Sequence, residues 1–296
     1  MSEASGAAAG AEMGTAGRNS VDADAAAGTG TSGRRRILLI TAYDGTNYCG
    51  WQVQKNGETI EGVLNRELSR LFGAEIAVIG ASRTDSGVHA LGNVAVFDTE
   101  ARMPADKVAY ALNSRLPEDI RIQRSLEVPP DFHPRKTACV KTYEYRILNR
   151  EFELPSERLN SYFFRRELDV GRMKAACPYF LGEHDFKSFC SIHTQAETTV
   201  RTIYSLEVLE EELPDLGGRR IRIRVTGNGF LYNMVRILAG TLIQVGLGAY
   251  APEDMEPMLT ACDRQAAGPT APAQGLTLIG MEYPEYPPQD TGRKGF

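Results

Sequence analysis

The 296-residue sequence has little of several things that would fix its class at once. Its five cysteines, Cys49, Cys139, Cys177, Cys190 and Cys262, are odd in number and widely spaced, with no CxxC pair. That excludes a small disulfide-built scaffold and argues for free thiols in a reducing compartment. The four histidines, His89, His133, His184 and His193, fall at no metal-binding spacing, so no metal is expected. No apolar run approaches the roughly 18 residues that a membrane helix needs, and the mildly acidic start lacks the apolar stretch of a secretion signal. A soluble cytoplasmic protein without membrane association is expected. A strong excess of one charge is missing too: 33 Lys and Arg face 38 Asp and Glu, a net of -5. Such a total neither announces nor excludes a basic cleft for a phosphate backbone, because binding depends on where the charge sits.

What is present is a globular composition, 42% hydrophobic, enough for one large or two smaller domains. The first 33 residues stand apart, with 24 Gly, Ala, Ser or Thr and no aromatic ring. They cannot offset their ordering entropy, so residues 1–34 are read as a disordered Ala/Gly-rich tail. Their four acids, Glu3, Glu12, Asp22 and Asp24, against Arg18 leave the remainder near neutral at -2.

Ordered sequence begins at Arg34-Arg35-Arg36 and the strand-like run Ile37 to Ile40. Helical spacing of Ile60, Val63, Leu64, Leu68, Leu71 and Phe72 predicts a helix over 59–72. Strands are expected around Ile76 and Val78 and at 94–97, with a loop over 82–93, then a helix over 104–116 and a strand over 120–128. This order suggests a split βαβ arrangement, an antiparallel sheet with helices on one face. The second half echoes it: strands at 139–148, 200–210, 219–227 and 276–282, and helices at 170–181, 230–246 and 252–261. The fold class expected is α+β, in two halves, 35–138 and 139–285, with a frayed end at 286–296.

Four segments concentrate chemistry. Arg83-Thr84-Asp85-Ser86-Gly87-Val88-His89 sits in a connection between strands. Asp85 there can act as nucleophile or base, with Arg83 positioning it or binding an anionic substrate; a turn in which Asp85 caps backbone N–H groups is the alternative. Tyr43 to Gln54 combines glycines, amides and rings, including Trp51, Gln52 and Gln54, which suits splayed RNA bases or, equally, a packed loop. In the strand at 141–146, Lys141, Tyr143 and Tyr145 share one face, so Tyr143 either stacks on a base or packs across strands. Gly227-Asn228-Gly229 precedes the long helix, whose N–H groups can take a phosphate. Tyr232 and Arg236 follow, and an Arg on so apolar a helix needs solvent or a carboxylate.

Together these segments resemble the tRNA pseudouridine synthase A family. The matching motifs are YDGTNYCGWQVQ at 43–54, SRTDSGVHA at 82–90, DFHPRKTACVKTYEYRI at 131–147, GEHDFKSF at 182–189 and GNGFLYNMVRILAGTLIQVG at 227–246. The resemblance implies a pseudouridine synthase fold, with two ferredoxin-like halves around a central cleft. It implies isomerisation of uridine to pseudouridine in the anticodon stem and loop of tRNA, typically at tRNA positions 38, 39 and 40. By the same resemblance Asp85 is the catalytic aspartate with Arg83 beside it, Tyr143 packs on the target base, and Arg236 pairs with the carboxylate. Trp51, Gln52, Gln54, His89, Lys141, Asn228 and Tyr232 are expected to line the substrate site. A homodimer is implied, and no cofactor or metal.

Two positions depart from the family pattern, Ser82 and Ser86, where the motif has Gly and Ala. Ser82 would be strained if its backbone needed a positive φ. The alternative to an enzyme is a non-catalytic protein that binds structured RNA; the joint presence of Asp85, Arg83, Tyr143 and Arg236 favours chemistry. A carboxylate-dependent hydrolase is disfavoured by the lack of paired acids and metal ligands.

Overall fold

Alternating side chains pair the strands of this chain into a single sheet in the computed structural model, which describes residues 33–192, 194 and 196–286. The expected disordered tail, apart from Gly33 and Arg34, and all of the expected frayed end but Tyr286 lie outside the described residues, as does His193. In chain order the elements are β1 (Arg35–Tyr43), α1 (Ile60–Phe72), β2 (Ile79–Gly80), β3 (His89–Thr99), α2 (Ala105–Asn113), β4 (Ile120–Val128) and β5 (Val140–Asn149). Then come β6 (Tyr162–Phe164), α3 (Val170–Ala176), β7 (Gly182–Asp185), β8 (Val200–Glu212), β9 (Arg219–Gly227), α4 (Met234–Gly246), α5 (Met255–Thr260) and β10 (Leu276–Glu282).

The strand order is β4-β1-β3-β10-β5-β9-β8-β7, with β2 on β3 and β6 on β5. Among the described residues only β10 on β3 and β6 on β5 pair in parallel; the other pairings are antiparallel, which gives a mixed α/β architecture with a mainly antiparallel sheet, as the resemblance implies. In β9 the residues Ile221, Ile223 and Val225 are buried while the arginines between them are half-exposed, so period-2 patterning selects the core face. Those residues join Ile37, Leu39, Phe97, Tyr145 and Ile147 in one cluster with the apolar sides of all five helices. Each fully buried aliphatic side chain there contributes about 1.5–3 kcal/mol. Leu38, Val94 and Val96, of opposite parity, pack beneath Phe132 and Tyr283 in a smaller cluster.

Helix α1 starts where Thr59 Oγ1 accepts the Gly62 N–H at 3.2 Å and stops at Gly73, whose φ of 68° only glycine adopts cheaply.

Several elements differ from the sequence reading. Ile76 and Val78 precede the two-residue β2, because Ile76 N–H donates to Ser69 Oγ and Val78 N–H to Asn65 Oδ1, both on α1. Strand β3 takes in His89 to Asn93, shortening the expected loop. The 170–181 helix is α-helical only to Ala176, since Pro178 removes an N–H and a 3₁₀ turn follows. Strands β6 and β7 were not expected; each is short and its residues are mostly exposed or half-buried, so neither shows a buried alternation.

Candidate active site

β10 is what brings the chemistry together. It pairs with the start of β3 on one edge, Thr277 opposite His89, and with β5 on the other, Leu278 opposite Tyr143. The loop entering β3, which carries Asp85, therefore lies beside the strand that carries Lys141 and Tyr143.

The 43–51 segment braces that loop from behind. Trp51 N–H donates to Thr84 O at 3.0 Å, Tyr43 Oη and Thr84 Oγ1 share a hydrogen bond of 2.7 Å, and Ser86 Oγ donates to Tyr48 O at 3.1 Å. Gly50, at φ 86°, passes so near that a Cβ would stand 2.6 Å from Thr84 O. Asn93 closes the other side, giving Nδ2–H bonds to Ser82 O and Tyr43 Oη and accepting the Ser82 N–H. Asp85 is thus held on a fixed backbone rather than on a free loop.

Its carboxylate meets the first turn of α4. Arg236 Nη1 lies 3.4 Å from Asp85 Oδ2, with the two side chains 18% and 25% exposed. The guanidinium has two further anchors, Nε–H to Ala271 O at 2.8 Å and Nη1–H to Asn233 Oδ1 at 2.9 Å. Burial pushes the Asp85 carboxyl above its usual value, and the nearby guanidinium pulls it only part of the way back.

Tyr143 is 9% exposed, with its ring edge-on to Phe230 at 5.2 Å. Burial pushes its phenol up to about 12, against a hydrogen bond with Ser82 that favours ionisation; the Asp85 charge adds to the rise. Lys141, on the same strand, donates to Ser82 Oγ at 3.1 Å and Ala81 O at 3.3 Å, and burial lowers its ammonium. Ser82 is not among the residues with positive φ, so a Cβ there brings no backbone strain.

Other expected site residues fall differently. Arg83 is exposed and, among the described residues, makes no hydrogen bond or ion pair, so it does not orient Asp85 and remains open to an anion. Tyr232 is 47% exposed and Gln52 is exposed. Three expectations need correction. Trp51 is 1% exposed, packed on Tyr43 and against Gly80, so its ring is core and offers no stacking face. His89 is buried with both nitrogens engaged: Nδ1 meets the Gly45 N–H and Asp44 Oδ1, each at 3.1 Å, and Nε2 meets Gln274 O at 3.2 Å. Asn228 is spent on β8, donating its N–H to Thr202 O and accepting the Thr202 N–H at Oδ1.

The Gln54 amide likewise bonds its own loop at Cys49 O. The Gly227–Gly229 turn does not open the helix, which starts only at Met234. Sequence reading missed Asn233, Ala271 and Ser82. Asn233 lay in a quoted motif but reads as an ordinary cap, and Ala271 acts through its carbonyl, which no side-chain pattern reports. Among the described residues no group of three or more His, Cys, Asp or Glu is placed to hold a metal, and no helix is long and apolar enough to cross a membrane.

Arranged this way, a partly buried carboxylate with a cation and a ring beside it can attack or deprotonate a substrate brought against it. Comparison with known proteins identifies the family. A family model described as tRNA pseudouridine synthase matches residues 39–135 and 176–284. A protein of Ruminiclostridium cellulolyticum named tRNA pseudouridine synthase A is 48% identical over 249 residues, covering 84% of this chain and all of that one. Proteins of the same name from Caldicellulosiruptor bescii and Geobacter sp. are each 45% identical, over 84% and 85% of this chain and the whole of theirs. A solved structure, described as an unknown protein from Galdieria sulphuraria, aligns over 84% of this chain and 96% of its own at 11% identity, with a TM-score of 0.20, too low to bear on the fold. With the family model spanning well over half of the chain and relatives this similar along their full length, the protein belongs to the tRNA pseudouridine synthase family.

Proposed function

We propose that this chain isomerises uridine to pseudouridine in tRNA, with Asp85 as the reacting carboxylate. The observation that carries the reading is the meeting of Asp85 and Arg236 across 151 positions of sequence, in a chain of this family. The reaction breaks the bond from ribose C1′ to N1, turns the base and joins C1′ to C5; the proton leaves C5 and N1 gains one. Composition and redox state are unchanged, so the protein has to supply only positioning, a nucleophile or base, and proton handling.

Asp85 is suited to this because its carboxylate is mostly buried, with the Arg236 guanidinium 3.4 Å away. It either bonds to the substrate or removes the C2′ proton, and both routes use the same oxygen atoms. A nucleotide turned out of its stack lies against the face of Tyr143, and the unpaired Arg83 takes a phosphate. The target uridines are those of the anticodon stem and loop, at tRNA positions 38, 39 and 40. The halves 35–138 and 139–285 flank the cleft, and a cytoplasmic homodimer presents the cleft to tRNA. Sedimentation tests the dimer: a concentration-independent monomer excludes it.

The central test is chemical mapping of pseudouridine in a defined tRNA transcript incubated with the protein and with Asp85→Asn. Product with the first and none with the second, at similar tRNA affinity, is expected. Binding without product in both leaves only an RNA-binding protein, and full turnover by Asp85→Asn removes that carboxylate from the chemistry.

A further inference from the structure

Asn233 stands at the N-cap of α4 and does not behave as a cap. An N-cap Asn ordinarily has extended backbone and turns its side-chain oxygen back to an N–H two or three residues on. Here φ is 63° and ψ 4°, the left-handed region, and the side chain makes no capping bond. Asn233 and Cys262 are the only non-glycine residues with positive φ among those described. The amide reaches forward along the helix instead, to Arg236 Nη1 at 2.9 Å. Since a guanidinium only donates, the atom facing it is the amide oxygen.

The same Nη1 is the nitrogen that faces Asp85, at the longer distance of 3.4 Å. The Arg236 Nε–H is held by Ala271 O, whose own residue is tied back by Ala271 N–H to Arg236 O at 3.0 Å. The guanidinium plane is therefore fixed by two neutral acceptors on opposite sides, before the carboxylate contributes anything. A helix start that gives up its cap and takes a costly backbone conformation in order to aim one side chain is a local departure of the kind that collects at functional sites.

We propose that Asn233 is a positioning residue: its left-handed backbone and amide oxygen aim Arg236 at Asp85 and hold the guanidinium there in the free protein. This rests on Asp85 being the reacting group. Without the amide, the guanidinium turns about Nε–Cζ and the carboxylate loses part of the charge that favours its ionised form. Protonation then competes at higher pH. The groups facing this pair are Asp85 itself, Arg236, Tyr143 and Tyr145, and burial pushes both phenols up, so both stay neutral across the working range.

Two substitutions separate this from capping. Asn233→Gly keeps a backbone that adopts positive φ and removes only the amide, with no cap bond to lose. Asn233→Asp keeps an oxygen but adds a negative charge that draws Arg236 from Asp85, whereas for an ordinary cap Asp is as good as Asn. On a tRNA transcript in single turnover, both variants are expected to fall tenfold or more at pH 7, to bind tRNA within twofold of the unaltered protein, and to show the acid limb of the rate profile moved upward. Independently of turnover, the 15N–1H spectrum of the Arg236 guanidinium, identified by its loss in Arg236→Lys, should show faster Nη exchange in Asn233→Gly.

An unchanged acid limb with unchanged Nη exchange overturns the proposal. So does a rate loss fully explained by lost folding or lost tRNA binding. If the unaltered protein makes no pseudouridine, the functional reading fails instead, and the exchange measurement still decides whether Asn233 holds the guanidinium.

Discussion

Lys141 extends its ammonium to the Ser82 hydroxyl at 3.1 Å, so a side chain at a position where the family pattern has glycine holds a cation on the facing strand. Ser82 Oγ in turn lies 3.7 Å from Met281 Sδ on β10. This hydroxyl ties the loop before β3 to β5 and β10. Replacing it by Gly leaves Lys141 with Ala81 O alone, and a lost hydrogen bond to a charged group costs about 1.5–3 kcal/mol. Ser82→Gly should therefore unfold at a lower denaturant concentration while retaining turnover, because Asp85 and Arg236 are untouched. An unaltered midpoint would show that this contact contributes nothing to stability.

Arg236→Lys tests the guanidinium. An ammonium on a flexible stem cannot meet Ala271 O, Asn233 Oδ1 and Asp85 Oδ2 together, as the planar fork does. Single-turnover rate should drop on the order of 100-fold, the scale of losing one preorganised donor at a reacting charge. The direction with pH follows from Asp85, whose carboxyl is raised by burial and lowered by Arg236. Weakening the second effect raises it further, so the acid limb moves to higher pH. A limb that stays in place would separate Arg236 from Asp85 ionisation.

Tyr143 carries two separable properties, a ring and a hydroxyl. With the phenol pushed up to about 12, the ring is neutral throughout the working range, so in the proposed reading it meets a base through its face and not through charge. Stacking of a base on a ring is worth about 1–3 kcal/mol. Tyr143→Phe keeps the edge contact with Phe230 and should retain more turnover than Tyr143→Leu. Equal loss in the two, with tRNA affinity intact, would assign the function to the hydroxyl.

How far the site could be read in advance depended on whether a residue acts through its type or through its place. The pairing of Asp85 with Arg236 was legible only through the family resemblance, since local pattern left Arg236 to solvent or a carboxylate and Asp85 to a plain turn. Trp51 was not legible. A ring among glycines reads equally as a stacking surface or as core, and only the approach of Gly80, where a Cβ would sit 2.2 Å from the indole nitrogen, decides for core. His89 failed for a similar reason, since besides the Asp44 carboxylate its partners, Gly45 and Gln274, act through backbone atoms. The strands of the long alternating runs were visible as alternation. β6 and β7 were not, because four or fewer residues at a sheet margin hold no period.

Away from Asp85, the cross-strand pair Arg36–Asp98 gives a stability prediction. Arg36 Nε and Nη2 donate to the two Asp98 oxygens at 2.7 and 2.8 Å, and both side chains are mostly buried. The Arg36 hydrogen bonds hold the Asp98 carboxyl below its usual value despite burial. A group depressed on folding contributes stability above its unfolded value of about 3.9, and that contribution is lost as pH falls through the lower folded value. Asp98→Asn should cost about 1.5–3 kcal/mol at pH 7, the range for hydrogen bonds to charged groups, with a difference from the unaltered protein that shrinks below pH 4. A gap that persists undiminished in acid would mean that packing, and not charge, sets the cost.

Gly240 connects the packing of α4 to the site. A Cβ there would stand 1.8 Å from Pro269 O and 3.3 Å from Ala271 N, and the first of these is a backbone atom with no rotamer to give way. The 268–271 segment cannot retreat freely, because Gly268 N–H is bonded to Thr241 Oγ1 and Ala271 N–H to Arg236 O. Gly240→Ala must therefore shift the segment whose Ala271 carbonyl anchors the guanidinium. Overpacking of this kind costs about 1–3 kcal/mol, and backbone contact places this case at the upper end. Turnover should fall along with stability, since Arg236 loses an anchor on its Nε side. The Asn233→Gly variant loses the Nη side only, so the two together should affect Asp85 ionisation less than additively if both act through the same guanidinium. Strict additivity in the acid-limb shift would show that they act on different groups.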